Sequence, residues 1–439
     1  MPHVVRRALI VSWEYPPLIE GGLARHVRKL SEALVGCGVE VDVLTRGGDA
    51  RGDAERGGTD AHGAASPLVR ERRAGVSVHR VREPPWPRDL ARFLAWVQQM
   101  NDDLLAAGCA LASERDYDLV HGHDWLVANV SADLAKRLRV PYVTTIHATE
   151  HGRHKGWVDK PPQSQIHRTE RWMASHADAV IVCSHYMRGH VADVFGIDEE
   201  RVAVIPNGID PSDLRPVDDL PALRASLAAP QERLVLLVGR LVYEKGFQLA
   251  LQALADVIEK LDGVRFVIAG SGTHEAELKD QARRLRLDAH GSFLGWIGDD
   301  ALHSLYRVAD LCVVPSLYEP FGLVALEAMA SGCPCVVADT GGLREVVPAG
   351  ERVGLRFNGG DPAHLATMIE RLLLDDALRR RLVAEASEHV LGFDWSDVAK
   401  RTLALYRGLA PPPRSTGLLC RPSEKLRQRI ADRQRASNG

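Results

Sequence analysis

Two glutamates in the stretch LYEPFGLVALEAM, Glu319 and Glu327, have the residue type and spacing that best suit ligand chemistry in this chain. Pro320 has no N–H to lose at a helix start, so we expect a helix to begin there. The first free amides of that helix then belong to the three residues that follow the proline. Those amides and the positive end of the helix dipole predict an anion-binding site.

The spacing of the two acids separates two kinds of site. Eight residues at about 1.5 Å each place Glu319 and Glu327 roughly 12 Å apart along a helix. The paired carboxyl groups of glycosidases lie about 5 to 9.5 Å apart, so a hydrolase is disfavoured. A nucleotide-sized ligand could instead present its sugar to Glu319 and its ribose to Glu327. The alternative is that both are solvated surface acids.

Cations follow an earlier strand of the same half of the chain. Arg240 and Lys245 lie in VGRLVYEKGF, after the apolar run RLVLLV, and Gly270 follows the next strand pattern. Loops after parallel strands gather at the carboxyl edge of a sheet, where α/β proteins bind ligands. The two cations are therefore expected to neutralise a diphosphate, with a surface Arg and Lys as the alternative.

The N-terminal half has a comparable edge. Gly21 and Gly22 lie between the strand pattern ALIVSW and a helix, and His147 ends the strand pattern PYVTTIH. No G-x-G-x-x-G follows the first strand, which disfavours a nicotinamide enzyme. Histidines at 147, 151 and 154 do not have a familiar metal-ligand spacing, nor do Cys333 and Cys335, so no metal is expected.

Length and patterning indicate two domains in the 439 residues. Strand and helix patterns alternate, which predicts parallel sheets. A Pro-rich stretch near 211–230 marks the boundary, giving domains at 1–210 and 211–393 and a helix at 394–409 that can pack back on the first. Residues 47–66 are predicted to form a flexible surface loop and residues 411–439 a disordered tail.

Composition excludes several classes of partner. The chain is 45% hydrophobic and 26% charged with a net charge of -3, which gives no reason to expect nucleic acid. No apolar run approaches the roughly 20 residues that span a bilayer, and the N-terminus does not resemble a signal peptide. A cytoplasmic protein without a transmembrane segment is expected.

With these residues in hand, the chain resembles the retaining GT-B glycosyltransferases of family 4, including their glycogen-synthase-like branch. The resemblance runs from Ala8 to Leu409 and is carried by VGRLVYEKG and by EPFGLVALEAMASGCP, which holds the family's E-x7-E pattern. SWEYPP, HGHDW, TTIHATE, IPNGID and TGGLREVV support it. It implies an α/β fold of two Rossmann-like doubly wound domains facing a central cleft.

The resemblance also implies roles for individual residues. The catalytic group comprises His147, Arg240, Lys245 and Glu319, with His147 near the transferred sugar and the two cations on the diphosphate. The residues implied to bind the donor are Gly21, Gly22, Gly270, Phe321, Gly322, Leu323 and Glu327. Of these, Glu327 is expected to bind the ribose. The acceptor side comprises Glu14, Tyr15, Asp124 and Trp125.

The function implied is transfer of a hexose, most often glucose, from UDP-glucose or ADP-glucose to an α-glucan, an oligosaccharide or a small glycoside, with no cofactor. A lipid or an inositol phosphate is the alternative acceptor, and a non-catalytic nucleotide-sugar-binding protein the alternative class. Glu20 stands where glycogen synthases carry a lysine before the glycine pair. This departure leaves the nucleotide open among UDP, ADP and GDP, and the oligomeric state is also open.

Overall fold

The chain folds into two compact units. The computed structural model describes residues 4–47, 68–84, 86–87 and 90–409. The first unit comprises Met1–Val182, Arg188–Ile205 and Ser396–Gly439, and the second comprises Cys183–Met187 and Pro206–Trp395. Each unit is built on its own sheet.

The first unit is organised on an eight-stranded sheet. Its strands are β1 (Arg7–Val11), β2 (Glu40–Arg46), β3 (Leu68–Arg73), β4 (Val76–Val81), β5 (Leu119–His123), β6 (Tyr142–Ile146), β7 (Ala179–Val182) and β8 (Val202–Val204). They lie in the order β3-β4-β2-β1-β5-β6-β7-β8. Its helices are α1 (Gly22–Gly36), α2 (Leu90–Glu114), α3 (Ala128–Leu138), α4 (Glu150–Arg153), α5 (Gln163–His176), most of α6 (His185–Phe195) and most of α15 (Trp395–Gly408).

The second unit is organised on a six-stranded sheet. Its strands are β9 (Arg233–Val238), β10 (Val264–Ala269), β11 (Gly291–Gly295), β12 (Leu311–Val314), β13 (Cys335–Ala338) and β14 (Leu355–Phe357). They lie in the order β11-β10-β9-β12-β13-β14, and every pairing is parallel. Its helices are α7 (Leu220–Leu227), α8 (Phe247–Lys260), α9 (Glu275–Arg284), α10 (Asp299–Val308), α11 (Leu323–Ala330), α12 (Leu343–Val346), α13 (Pro362–Leu374) and α14 (Asp376–His389).

The central strands are buried because helices cover parallel sheets on both faces. In β1 the apolar run from Ala8 to Val11 is entirely buried, and β12 is buried along its whole length. One strand departs from the parallel pattern, since β3 pairs antiparallel with β4 at the sheet edge. Its sequence LVRERR is mostly charged, so hydrophobic patterning did not predict it.

These two Rossmann-like units confirm the predicted fold class. The predicted loop at 47–66, apart from Gly47, and the predicted tail at 411–439 lie outside the described residues. Within the part of the chain that the structure describes, no helix combines the length and apolar character needed to cross a bilayer.

Candidate active site

Three imidazoles meet at the carboxyl edge of the first sheet. His123 ends β5, His147 follows the adjacent strand β6, and His26 lies on α1. His123 Nδ1 lies 3.1 Å from His147 Nε2, and the ring centroids of His26 and His147 are 4.6 Å apart. One nitrogen from each ring lies within 4.8 Å of the others, which is close enough to share a transition-metal ion. Chelation is therefore the experiment that tests the predicted metal-free site.

Burial keeps the imidazoles of His147 and His123 uncharged near neutral pH. It lowers the pKa of His147 to about 3. Burial and the neighbouring imidazoles also hold the pKa of His123 well below its usual value. A neutral imidazole donates through one nitrogen and accepts through the other. His147 can therefore hydrogen-bond a neighbouring polar group without adding a positive charge.

Asp124 positions His147. It has a left-handed backbone with φ 62°, which is uncommon for a residue with a side chain. Its Oδ1 accepts the backbone N–H of His147 at 2.8 Å. Its own N–H donates to the carbonyl of Thr145 at 2.9 Å, so the ends of β5 and β6 are joined. Burial raises the pKa of Asp124 to about 6.

The loop before α1 is ordered by a buried acid. Glu14 Oε2 accepts the backbone N–H groups of Glu20 at 2.5 Å and of Gly21 at 3.3 Å. A Cβ at Gly21 would meet no atom within 4 Å, so the space beside the loop is open. Because Glu14 engages the Gly21 amide, the first-turn amides of α1, starting with Gly22, are the ones available to an anion.

The charge of Glu20 is compensated by a long-range ion pair. Glu20 Oε1 lies 2.8 Å from Arg46 Nη2, and Glu83 Oε2 lies 2.7 Å from Arg46 Nη1. The Arg46 side chain is only 4% exposed. Pairing with this guanidinium lowers the electrostatic cost of an acid beside the glycine pair.

The buried carboxyl group of Glu14 makes the stability of the protein depend on pH. Burial, reinforced by the charge of Glu20, raises the pKa of Glu14 to about 7. Since the folded-state pKa is raised, the folded protein holds its proton more tightly than the unfolded chain does. The resulting stabilisation is complete below about pH 4.5 and is lost as pH rises through about 7.

Glutamine carries no charge at any of these pH values. Glu14→Gln should therefore gain stability relative to the wild type between pH 5 and 8, by about 3 kcal/mol at most. Thermal unfolding midpoints of both proteins across that range provide the measurement. A difference that does not vary with pH would contradict the buried, proton-holding state of Glu14.

In the second unit, Lys245 and Glu319 form an ion pair at the carboxyl edge of the sheet. Lys245 Nζ lies 2.7 Å from Glu319 Oε2, and their side chains are 23% and 11% exposed. Ser316 Oγ donates to the same oxygen at 3.1 Å. Lys245 precedes Gly246, whose φ is 73° and whose Cβ would lie 1.9 Å from the carbonyl oxygen of Pro315. Only glycine fits there, so the lysine loop packs directly on the loop after β12.

The other predicted cation and glycine lie in neighbouring loops. Arg240 is exposed and follows β9. Gly270 follows β10 with φ 144°, and a Cβ there would lie 1.9 Å from the carbonyl oxygen of Gly239. The two loops therefore approach each other through their backbones, and both lie at the carboxyl edge.

Glu327 belongs to a separate network. It lies within α11 and is buried, and Tyr306 donates its hydroxyl to Glu327 Oε2 at 3.1 Å. Glu319 lies before α11 and has different partners. The two acids therefore have different protein partners, Lys245 and Ser316 for Glu319 and Tyr306 for Glu327.

The helix start lies later than predicted. The first residue of α11 is Leu323, and Gly322 is its N-cap with φ 120°. The prediction that Pro320 opens the helix is wrong, because carbonyls upstream are held by tertiary contacts. Gly342 N–H donates to the carbonyl of Glu319 at 2.8 Å, and Ser184 Oγ donates to that of Pro320 at 2.7 Å.

This shift changes which amides lie at the end of the helix. Of the three predicted amides, only that of Leu323 belongs to the first turn of α11. Phe321 is buried, and its ring lies 6.0 Å from that of Phe393. Three predicted acceptor-side residues are also buried, Glu14 at 3%, Tyr15 at 1% and Trp125 at 8% exposure. The rings of Tyr15 and Trp125 pack inside the first unit.

Several residues at these sites were not predicted as functional: His26, His123, Arg46, Ser316 and Tyr306. His123 lies in the HGHDW motif and His26 follows the glycine pair on the apolar face of α1, so both had a local sequence pattern. Arg46 and Tyr306 are joined to the site by contacts between distant parts of the chain. Ser316 is only three positions from Glu319, but its residue type alone did not indicate the contact.

The fold and the two edge sites place the protein in a class shared with sucrose-phosphate synthase from Thermosynechococcus elongatus. The two structures align with a TM-score of 0.74 and 26% identity over 92% of this chain and 98% of that one. The class is that of GT-B glycosyltransferases.

Sequence comparison then gives the family. A model described as Glycosyltransferase Family 4 matches residues 20–213, and one described as Glycosyl transferases group 1 matches residues 221–389. A glycogen synthase of Mycobacterium tuberculosis is 39% identical over 91% of this chain and 94% of its own length. A D-inositol 3-phosphate glycosyltransferase of Kineococcus radiotolerans is 32% identical over 92% of this chain and 95% of its own length. The chain belongs to the family 4 glycosyltransferases of the GT-B class.

Proposed function

We propose that this glycosyltransferase transfers glucose from UDP-glucose or ADP-glucose to an α-glucan or oligosaccharide, with retention of anomeric configuration. The Lys245–Glu319 pair at the carboxyl edge of the second sheet carries the proposal. In this proposal the ammonium of Lys245 neutralises the departing diphosphate, and the carboxylate 2.7 Å away accepts hydrogen bonds from sugar hydroxyls. The similarity to a glycogen synthase supports glucose and a glucan.

The second unit supplies the donor contacts. Lys245 and Arg240 neutralise the diphosphate, and the first-turn amides of α11 from Leu323 onward add partial positive charge. The Glu327 carboxylate accepts hydrogen bonds from the ribose hydroxyls. Gly270 lets the backbone of the loop after β10 approach the loop after β9, and we assign these two loops to the nucleotide.

The first unit supplies the groups around the transferred sugar. Neutral His147, positioned by Asp124, hydrogen-bonds a hydroxyl near the reacting carbon. The first-turn amides of α1, beside Gly21 and Gly22, meet the donor phosphate. The sequence does not identify a carboxylate as the nucleophile of a covalent intermediate, so we favour a mechanism in which the acceptor attacks the same face of the sugar that the diphosphate leaves. The bond from the anomeric carbon to the phosphate oxygen breaks, the acceptor oxygen bonds to that carbon, and the leaving oxygen takes the acceptor proton.

A second candidate acceptor is an inositol phosphate. Relatives named D-inositol 3-phosphate glycosyltransferases, one of them 32% identical, favour it. The donor chemistry is unchanged in this case, and only the acceptor site differs. The alternative of a nucleotide-sugar-binding protein without catalysis is disfavoured, because the relatives that the whole chain matches are named as glycosyltransferases and as a glycogen synthase.

A donor and acceptor panel tests the proposal. UDP-, ADP- and GDP-glucose are each incubated with malto-oligosaccharides, with an inositol phosphate or without acceptor, and release of nucleotide diphosphate is measured. Release from UDP- or ADP-glucose that increases with malto-oligosaccharide is expected, with an α-linked product by NMR. Donor binding without release under any condition would contradict catalysis, and release that responds only to the inositol phosphate would select the second acceptor.

Chelation tests the metal-free prediction. We expect EDTA to leave turnover within about twofold, because side-chain cations and helix amides supply the charge at the leaving group. Activity is measured after dialysis against EDTA and after addition of Mn²⁺ or Zn²⁺. Strong inhibition that Mn²⁺ reverses would make the metal part of catalysis, whereas reversal by Zn²⁺ alone would point to the three imidazoles.

A further inference from the structure

Four aromatic side chains of the first unit form one cluster, Trp13, Trp86, Phe93 and Trp96. The ring centroid of Trp86 lies 4.6 Å from that of Trp96, 6.1 Å from that of Phe93 and 6.4 Å from that of Trp13. Phe93 and Trp96 are nearly parallel, with an interplanar angle of 11°. We call these four residues the aromatic cluster.

Trp86 is the member that presents its surface to solvent. It is 49% exposed, whereas Trp96 beneath it is 5% exposed and donates its indole N–H to the carbonyl of Pro84 at 3.0 Å. A surface indole that packs on buried side chains is already restricted in its rotamers, so it loses little conformational entropy when it binds a ligand. Trp157 offers a contrast in the same unit, since it is 81% exposed and lies outside this cluster.

The guanidinium of Arg46 supports the cluster from one side. Its Cζ lies 4.7 Å from the ring centroid of Trp13 and 5.2 Å from that of Trp86. Its Nε donates to the carbonyl of Trp13 at 2.8 Å, and its two terminal nitrogens pair with Glu20 and Glu83. These contacts fix Trp86 relative to the glycine loop, because Glu20 belongs to that loop.

The three charged groups leave an acidic rim beside Trp86. The carboxylates of Glu20 and Glu83 share the guanidinium of Arg46, so the three groups together carry one negative charge. The Glu20 side chain is 53% exposed and its oxygens can accept further hydrogen bonds. Beside Trp86, such a rim favours an uncharged group with hydroxyl donors over a phosphate group.

The cluster lies at the functional edge of its sheet. Trp13 follows β1, Arg46 ends β2, and Glu83 and Trp86 follow β4. The carboxyl ends of these parallel strands lie at the same edge as the ends of β5 and β6, where His123 and His147 lie. The aromatic cluster and the imidazoles therefore belong to one edge of the first unit.

We infer that Trp86 is a stacking platform for a pyranose ring of an uncharged oligosaccharide acceptor, with Glu20 accepting hydrogen bonds from its hydroxyls. The C–H face of a pyranose carries slight positive charge and complements the negative face of an indole. A carboxylate that accepts from hydroxyls adds direction and affinity. This inference rests on the proposed function and narrows its acceptor, because the acidic rim disfavours a phosphorylated acceptor at this position.

Binding of maltoheptaose to the full chain without donor tests the inference directly. Isothermal titration calorimetry is run on the wild type, Trp86→Ala, Trp86→Phe and the exposed control Trp157→Ala. We expect Trp86→Ala to raise Kd about tenfold, with Trp86→Phe between it and the wild type and Trp157→Ala unchanged. Equal thermal unfolding midpoints would establish that the variants are folded. If Trp86→Ala does not fold, the Kd of Trp86→Phe is compared with that of the wild type instead.

Kinetics separate this inference from the proposed function. Trp86→Ala should raise KM for maltoheptaose with little change in kcat, and should leave release of nucleotide diphosphate without acceptor unchanged. Wild-type affinity in Trp86→Ala, or no maltoheptaose binding by the wild type, would overturn the platform while donor turnover could still support the proposed function. Binding of an inositol phosphate that depends on Trp86 would also overturn it. If glucan binding depends on Trp86 but no donor is turned over, the platform stands and the proposed function fails.

Discussion

Lys245→Ala is expected to lower kcat by about 10² to 10³, the usual effect of removing one group that stabilises charge in the transition state. In the proposed reaction the lysine ammonium stabilises the leaving diphosphate. The structure adds a second contribution, because Glu319 is 11% exposed and loses its cationic partner. An unpaired, partly buried carboxylate would also repel the diphosphate. Single-turnover kinetics at saturating donor would measure the loss in the chemical step.

A double variant separates these two contributions. Lys245→Ala combined with Glu319→Gln removes the unpaired charge together with the lysine. Recovery of most activity would mean that the lysine acts mainly by neutralising Glu319. Activity that stays low would support direct stabilisation of the diphosphate charge by the lysine. Because the double variant also loses the Glu319 carboxylate, its activity is compared with that of Glu319→Gln alone. Lys260→Ala is a matched control, since that lysine pairs with Glu370 at 2.7 Å on the surface of the same unit. Wild-type activity in Lys245→Ala would remove this lysine from the site.

Glu327→Ala is expected to weaken nucleotide binding by about 10- to 100-fold, while kcat at saturating donor falls much less. Hydrogen bonds to a charged acceptor contribute about 1.5 to 3 kcal/mol, which corresponds to that range. Calorimetric Kd values for UDP and ADP provide the measurement. Tyr306 also loses an acceptor in this variant, so Tyr306→Phe is needed to show how much of the effect comes from positioning the carboxylate.

Nucleotides that lack a ribose hydroxyl identify the contact. If Glu327 binds the ribose, 2′-deoxy or 3′-deoxy UDP should bind the wild type more weakly than UDP does. The same substitution should cost little in Glu327→Ala, because the partner is already absent. Independent losses from the two changes would place the carboxylate elsewhere, and a normal nucleotide affinity in Glu327→Ala would refute its ribose role.

The alternation of strands and helices was predictable because buried parallel strands are short apolar runs and the helices between them have apolar faces. RLVLLV and LCVV, for example, correspond to β9 and β12. The charged strand β3 was not predictable in this way. It is specified by its antiparallel pairing with β4, where Leu68 lies opposite Val81.

The sequence predicted which residues lie at the site better than it predicted the contacts between them. Motifs placed Lys245 and Glu319 at the edge of one sheet, but their ion pair joins residues 74 positions apart. The pairing of Glu20 with Arg46 likewise spans 26 positions, and nothing in the local sequence indicates it. The start of α11 was misplaced for the same reason, because hydrogen bonds from Ser184 and Gly342 hold the chain before it.

The path of the chain limits how this enzyme can be recombined with its relatives. Residues 183–187 belong to the second unit although the chain around them belongs to the first, and the last segment returns to the first unit at Ser396. There Tyr406 Oη lies 2.6 Å from His121 Nδ1. A hybrid with a new donor specificity should therefore exchange 206–395 as an internal cassette and keep both flanking segments from one parent. At the junction 183–187, the backbone N–H groups of His185 and Tyr186 bind the carboxylate of Glu345, and Ser184 Oγ binds the carbonyl of Pro320. The two parents should therefore share the serine at 184 and the acid at 345.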